Sequence, residues 1–385
     1  MRTVCQENMC NGCYACIDVC SQKAITIDNK MEAYNAIIDD KKCINCGLCE
    51  KICQNNGEIK LKSPIQWYQG WAEDESIRAR SSSGGFATAI EKVFARRGGK
   101  VCSCVFENGE FTFKIASDEN GMESFTGSKY VKSNPSGIYQ KIKTELVAGE
   151  KILFVGLPCQ VSALKQFLKN KYLENLYTID LICHGTPAPK VLETFLNQYD
   201  ESLNKLEEVK FRTKNSFQMG CGHKYIVTKG VWDSYTMAFL GTMPYTENCY
   251  SCRYATTKRI SDITLGDSWG SNLPQDEIKK GISLALVQTD KGIELLKNTD
   301  LHLEDVDAEC AIKHNHQLQH PAVAPEGRDA FFEGISNGKK FNRLVFNVFP
   351  KTYIKQFVKS LLIRMHILHR GVNSYGIVII RRCDE

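Results

Sequence analysis

At 385 residues, with 49 basic and 44 acidic side chains, the chain has room for two or three domains, and its formal charge of +5 is no nucleic-acid signature. No run approaches the roughly 20 apolar residues that cross a bilayer. Eighteen cysteines, with no signal-peptide-like apolar stretch at the N-terminus, point to bound metal in a reducing, cytoplasmic setting and away from a disulfide framework.

The first 53 residues carry two cysteine runs of identical spacing. Cys10, Cys13, Cys16 and Cys20 form C-x2-C-x2-C-x3-C, and Cys43, Cys46, Cys49 and Cys53 repeat it. Iron-sulfur clusters need four soft thiolates, and a tightly wound C-x2-C-x2-C loop supplies three of them. Zinc is the competing account, but its usual spacing pairs one C-x2-C with a second, distant pair. The runs, with Ala24–Ile27 and Ala36–Asp40 between them, resemble a bacterial-type two-cluster ferredoxin domain over residues 3–60. There the fourth cysteine of each run serves the other cluster. The expected sets are Cys10, Cys13, Cys16 with Cys53, and Cys43, Cys46, Cys49 with Cys20. The proline that usually follows each fourth cysteine is Ser21 in one run and Gln54 in the other, which removes a rigid turn residue but no ligand. Cys5 lies outside both sets and reads as a spare thiol.

After residue 62 the pattern changes. Trp67–Ala72 reads as a strand opening a new domain. Ser81–Gly85 is a turn leading into a helix whose stripe is Phe86, Ala89, Ile90, Val93 and Phe94. Lys100–Phe106 and Phe111–Ile115 read as a hairpin around Asn108-Gly109, with Cys102 and Cys104 as thiols on one strand face. Residues 128–136 form a polar loop and Gly137–Leu146 a helix. The strand Lys151–Gly156 runs into Leu157-Pro158-Cys159-Gln160 and a helix over Val161–Lys169. Leu176–Ile182 runs into Cys183-His184-Gly185 and a helix over Ala188–Tyr199. Two successive strand ends thus deliver a cysteine, a turn and a helix, the usual place for a site in a layered sheet. Val209–Thr213 and Tyr225–Thr228 read as strands with Gly220–His223 between them, Trp232–Leu240 as a helix, Ile282–Thr289 as a strand and Gly292–Asn298 as a helix. In the tail, Tyr353–Arg370 is a basic amphipathic helix that suits its own domain, a membrane surface or a partner helix, and Tyr375–Ile380 is an edge strand.

Cys249 and Cys252 form a C-x2-C pair, and with Cys159 and Cys183 they make a third thiolate quartet that suits another cluster or a structural zinc. Ser82–Gly85, Gly156–Gln160 with Ala163-Leu164, Asp180–Pro187, Cys249-x2-Cys252 and Ser261–Gly270 resemble the successive signatures of the coenzyme F420 hydrogenase or dehydrogenase beta-subunit family, over about residues 65–320. The resemblance implies an α+β protein: a ferredoxin-like two-cluster domain (1–60), a mixed-sheet, layered α/β domain for FAD and a 4Fe-4S cluster (61–325), and a C-terminal extension (326–385).

On that resemblance, Cys159, Cys183, Cys249 and Cys252 hold a third 4Fe-4S cluster, and Ser82, Ser83, Gly84 and Gly85 lie against the FAD phosphates or ribityl chain, joined by Lys129, Pro158 and Gln160. His184 is the candidate proton donor or flavin-facing hydrogen bond, with support of the cluster as its alternative. Asp180 and Asp262 read as loop anchors, and Asp267 and Trp269 as a wall of the flavin or substrate site. The implied function is a ferredoxin- or F420-dependent iron-sulfur flavoprotein oxidoreductase reducing an organic substrate by hydride transfer. The alternative is a non-catalytic subunit relaying electrons to a partner protein, in some relatives associated with surface polysaccharide synthesis.

Overall fold

The computed structural model describes residues 2–222 and 224–368. In the N-terminal unit β1 (Ile25–Asn29) pairs antiparallel with β2 (Tyr34–Ile38), in register from Ile25 opposite Ile38 to Asn29 opposite Tyr34. This hairpin separates the two cysteine runs. Then follow β3 (Gln66–Ala72), β4 (Lys100–Glu107), β5 (Glu110–Ala116), β6 (Ile152–Gly156), β7 (Leu176–Leu181), β8 (Val209–Thr213), β9 (Ser216–Cys221), β10 (Lys224–Tyr225), β11 (Ile263–Asp267), β12 (Ser283–Val287) and β13 (Leu301–Asp305). Eight of them form one mixed sheet in the order β13-β3-β12-β11-β7-β6-β4-β5, and β10-β9-β8 form a small antiparallel sheet.

Strands β4, β6, β7 and β11 run parallel. Both faces of the sheet are covered, so the strands carry near-continuous apolar runs. Along β6, Ile152 and Phe154 pack with the helices Ile138–Val147 and Pro158–Phe167, while Leu153 and Val155 pack on the other face with the helices Phe86–Arg96 and Asp290–Lys297. The two-residue period of a strand accounts for that division. Cys102 of β4 is fully buried on the first of these faces, among Phe113 and Phe154.

The N-terminal unit is docked on this sheet domain. Ala15 and Ile52 join the core beneath Ile138 and Phe154, Lys132 Nζ donates to the Asn11 carbonyl, and Asp18 accepts from the Gly137 N–H at 2.8 Å. The helices Arg328–Ser336 and Phe341–Val348 bury Phe331, Phe332, Ile335, Phe341, Leu344 and Val345 against Leu192, Phe195 and Leu196.

Several elements differ from the sequence reading. The segment around Gly220 and Cys221 is not a connection: it ends β9, which pairs back on β8 through a bulge between Lys210 and Arg212. The partner strand then reduces to Lys224–Tyr225. The helix expected from Val161 begins at Pro158, because a first-turn proline needs no N–H partner and the Gln160 side chain reaches back to the Leu157 N–H at 2.9 Å. The tail helix spans Pro350–Arg364; Arg370 and the strand expected at Tyr375–Ile380 lie outside the described residues.

Candidate functional site

The two N-terminal runs share a backbone as well as a spacing. In each, the second and fourth residues after the first cysteine are left-handed: Gly12 (φ 65°) and Tyr14 (φ 60°) in one, Asn45 (φ 57°) and Gly47 (φ 68°) in the other. Each run then enters a five-residue helix, Ala15–Val19 or Leu48–Ile52. Left-handed residues reverse the chain tightly, which winds each C-x2-C-x2-C segment around its own sulfurs. Backbone N–H groups point at those sulfurs: Gly12 to Cys10, Ala24 to Cys20 and Asn45 to Cys43, each at 3.4 Å. Such bonds stabilise thiolates and tune clusters.

The runs meet crosswise. Cys53, from the second run, lies with Cys13 of the first and shares Cys5 as a neighbour with Cys10, and Cys20, from the first, lies with Cys49 of the second. The two groups differ in exposure: in the inner one Cys10 and Cys16 are buried and Cys13 and Cys53 half-buried, whereas in the outer one Cys46 is exposed and Cys43, Cys49 and Cys20 are half-buried. Cys5, read as a spare thiol, belongs spatially to the inner group. The Cys10 and Cys53 thiols donate toward its sulfur and hold its pKa down at about 3, while their own are raised.

A third group forms where β6 and β7 end. Cys159 opens the helix after β6 and Cys183 follows β7, and both face Cys249 and Cys252. Burial first, and then the neighbouring Cys249 and Cys252, push Cys183 up to about 12; burial raises Cys159 and Cys252 likewise. Hydroxyls of Thr246 and Thr186 lie 3.6 and 3.9 Å from the Cys249 sulfur.

One side chain connects this group with the inner N-terminal one. Gln54, which follows Cys53, donates from Nε2 to the Cys159 carbonyl at 2.7 Å and accepts from the Tyr254 hydroxyl. Arg253, beside Cys252, donates to the Gln54 carbonyl at 2.9 Å. The residue that reads as a missing proline is thus the joint between two cysteine groups.

Near the third group, a polar cluster joins the ends of β8 and β11 to the Ser82–Gly85 turn. Arg212 of β8 makes a two-pronged ion pair with Asp267 at the end of β11, both contacts 2.8 Å, and donates to the Ser82 carbonyl at 2.7 Å. Lys214 donates to the Ser83 and Arg78 carbonyls. Burial, and then the adjacent Arg78 and Arg212, lower the Lys214 pKa to about 8. The guanidinium of Arg212 also lies over Phe217 and Trp269, 4.9 and 5.9 Å from their centroids, and Tyr130 stacks on Phe239 at 4.4 Å.

The predicted cofactor-binding residues occupy different places here. Ser82 accepts from the Ser128 N–H through its hydroxyl, and Ser83 donates to the Ile282 carbonyl. A Cβ on Gly84 would stand 2.4 Å from the Gly70 carbonyl oxygen, so the turn presses against the backbone of β3. Gly85 is left-handed at φ 95°. Lys129 is turned toward the carbonyls of Ser124, Phe125 and Thr126, although the preceding residue touches the Ser82 turn. Pro158 starts its helix and Gln160 caps it, its amide donating to Ser133.

His184 sits beside Cys183 with its ring edge-on to His316, centroids 5.5 Å apart. The Gln317 amide nitrogen, which can only donate, approaches His184 Nδ1 at 2.5 Å and His316 Nε2 at 2.6 Å. Asp180 and Asp262 are tied up within the fold: Asp180 accepts from Ser261, and Asp262 from Thr178 and Thr289.

The donor sets fit iron-sulfur clusters. Closely grouped buried thiols are unfavourable as bare anions, so they become thiolate ligands only with metal positive charge beside them. Arg78, Arg212 and Lys214 gather around the Ser82-Ser83 turn, with Arg78 paired to Glu277 and Arg212 to Asp267, so one cation of the three has no carboxylate partner in this cluster and is free to complement a phosphate.

Two family models match segments of the chain. Residues 9–56 match the 4Fe-4S dicluster domain, and residues 149–309 match the family described as the C terminus of the coenzyme F420 hydrogenase/dehydrogenase beta subunit. No curated protein matches. Among solved structures, a xenon-derivatized F420-reducing NiFe hydrogenase complex from Methanosarcina barkeri aligns at 16% identity and a TM-score of 0.49, covering 73% of this chain and 96% of that one. The chain is thus similar, over residues 149–309, to the C-terminal part of the coenzyme F420 hydrogenase/dehydrogenase beta subunit, and over residues 9–56 to a 4Fe-4S dicluster domain.

Proposed function

We propose that this chain is a cytoplasmic flavoprotein oxidoreductase, reduced by ferredoxin or a similar one-electron carrier, or by F420, that reduces an organic substrate at FAD. In this reading Cys43, Cys46, Cys49 and Cys20 hold an outer 4Fe-4S cluster, Cys10, Cys13, Cys16 and Cys53 an inner one, and Cys159, Cys183, Cys249 and Cys252 a third. Residues 1–60 form the carrier-facing unit, 61–325 the flavin domain and 326–385 an extension. When bound, the clusters supply one-electron transfers and the flavin supplies hydride transfer.

The observation that carries the reading is Gln54, whose side chain spans from the inner cysteine group to the backbone of Cys159. The exposed group lies where an external carrier can reach it, and the enclosed group adjoins the third. Lys214, Arg212 and the Ser82–Gly85 turn would hold the FAD phosphates, Asp267 keeps Arg212 in place, and His184 is the candidate proton donor or hydrogen-bond partner for the group bound there. Lys129, Pro158 and Gln160 act by shaping the loops that border the turn.

Anaerobic purification followed by metal and flavin analysis tests this: about 12 iron, one FAD and no zinc per chain are expected. A screen of organic acceptors with the ferredoxin-reduced protein, and with reduced F420, then separates an enzyme from a relay. Turnover of a small molecule supports the proposal; exchange confined to a partner protein overturns the enzyme reading, and a zinc-loaded, flavin-free protein overturns the whole of it.

A further inference from the structure

The C-terminal helix Pro350–Arg364 is inverted relative to an ordinary surface helix. Its inner face is held largely by polar contacts: Gln356 is buried and accepts from the Trp232 N–H at 3.1 Å, Ser360 meets Thr228 at 2.8 Å, and Arg364 donates to Thr228 at 3.2 Å. Ile363 is the buried apolar residue of that face. The outer face carries Ile354, Phe357, Val358, Leu361 and Met365, between 42% and 62% exposed. These positions follow the three- and four-residue steps that put side chains in one stripe along a helix. A single exposed leucine needs no explanation, but a contiguous stripe of five marks a contact surface.

The charge around the stripe says what it meets. From Gly338 to Leu368 the chain has seven lysines and arginines (Lys339, Lys340, Arg343, Lys351, Lys355, Lys359 and Arg364) and no aspartate or glutamate. Lys351, Lys355 and Arg364 are exposed and flank the stripe. Beside it is a hollow of about 410 Å³ lined by Lys340, Arg343, Asn342, Gln198, Phe346 and Tyr353, with Phe346 itself exposed. An apolar stripe flanked by cations and without acids complements an anionic lipid surface, where apolar side chains enter the acyl boundary and cations meet headgroups. No helix among the described residues is long and apolar enough to cross a membrane.

We propose that the Pro350–Arg364 helix docks this protein, lying flat, on an anionic bilayer surface, with Phe357 and Leu361 inserted and Lys351 and Lys355 at the headgroups. The redox cysteines stay in the aqueous body of the chain. The site does not depend on the flavin reading.

The test is co-sedimentation of the anaerobically purified full-length holoprotein with vesicles of phosphatidylcholine alone or mixed with phosphatidylglycerol, at low and high salt. Binding to the anionic vesicles, weakened by salt, is expected. K351E/K355E should reduce partitioning by at least about fivefold per charge removed, and F357S/L361S should abolish it, both with iron content and reduction by ferredoxin unchanged. Absence of binding to anionic vesicles at low salt, or binding indifferent to both variants, overturns the proposal. So does a wild-type dimer that F357S/L361S converts to monomer, which would assign the stripe to a second copy, and so does its occupation by a partner polypeptide that the same variant releases while vesicle binding persists.

Discussion

Gln54 has no replacement among its neighbours. Substitution by leucine leaves the Tyr254 hydroxyl and the Cys159 carbonyl without this partner in a buried joint, which costs roughly 1–3 kcal/mol. Q54L should therefore melt earlier and pass electrons more slowly from the N-terminal unit, with full iron content; stopped-flow reduction by ferredoxin beside thermal unfolding measures both. Glu91 gives a pH signature. Burial lifts its pKa from 4.5 to about 7, so between those values the folded chain holds a proton the unfolded chain has lost, and stability falls as pH rises. Above pH 7 the full penalty of roughly 3 kcal/mol applies. E91Q should raise the melting temperature at pH 8 and change it little at pH 4.5; an equal shift at both values would refute the assignment. Single residues were legible to unequal degrees. The eight N-terminal cysteines and the Cys249-x2-Cys252 pair announce themselves by spacing and Cys159 and Cys183 by following strands, whereas Arg212, 55 positions from its partner Asp267, stands in no pattern. Gln317 and Cys5 likewise acquire meaning only from their neighbours in space.

At the scale of elements, the strands buried on both faces were the clearest in the sequence. Ile152–Gly156 and Leu176–Leu181 are nearly unbroken apolar runs, and Asn108 and Gly109 both take the positive φ that a tight hairpin turn requires. What escaped was marginal or interrupted. Strand β13, Leu301–Asp305, lies at a sheet edge with only intermediate burial, so its alternation is weak, and β9 is displaced by the bulge in its partner. The Ser82–Gly85 turn was read as a phosphate loop; its glycine is also required by close packing, which no local pattern reveals. G84A must displace the backbone of β3 or β12, at about 1–3 kcal/mol, and should release flavin on gel filtration. G57A, where an added Cβ meets nothing within 4 Å, should leave stability and flavin content unchanged.

Taken whole, the molecule is graded from surface to interior. The outer cysteine group faces solvent, the inner one is enclosed, and the third lies between the N-terminal unit and the sheet domain. C43S should therefore remove about four iron and nearly all reduction by ferredoxin, while chemical reduction of the remaining centres persists; iron analysis with dithionite titration reads both. The same gradation bears on survival in air. The two runs have matching backbones, but Cys46 is open to solvent and Cys10 is not, so oxygen meets one fold of ligand loop bare and the other shielded. Controlled exposure should bleach the chain from the outside inward, leaving a protein that has lost its docking terminal for electrons before it has lost its chemistry.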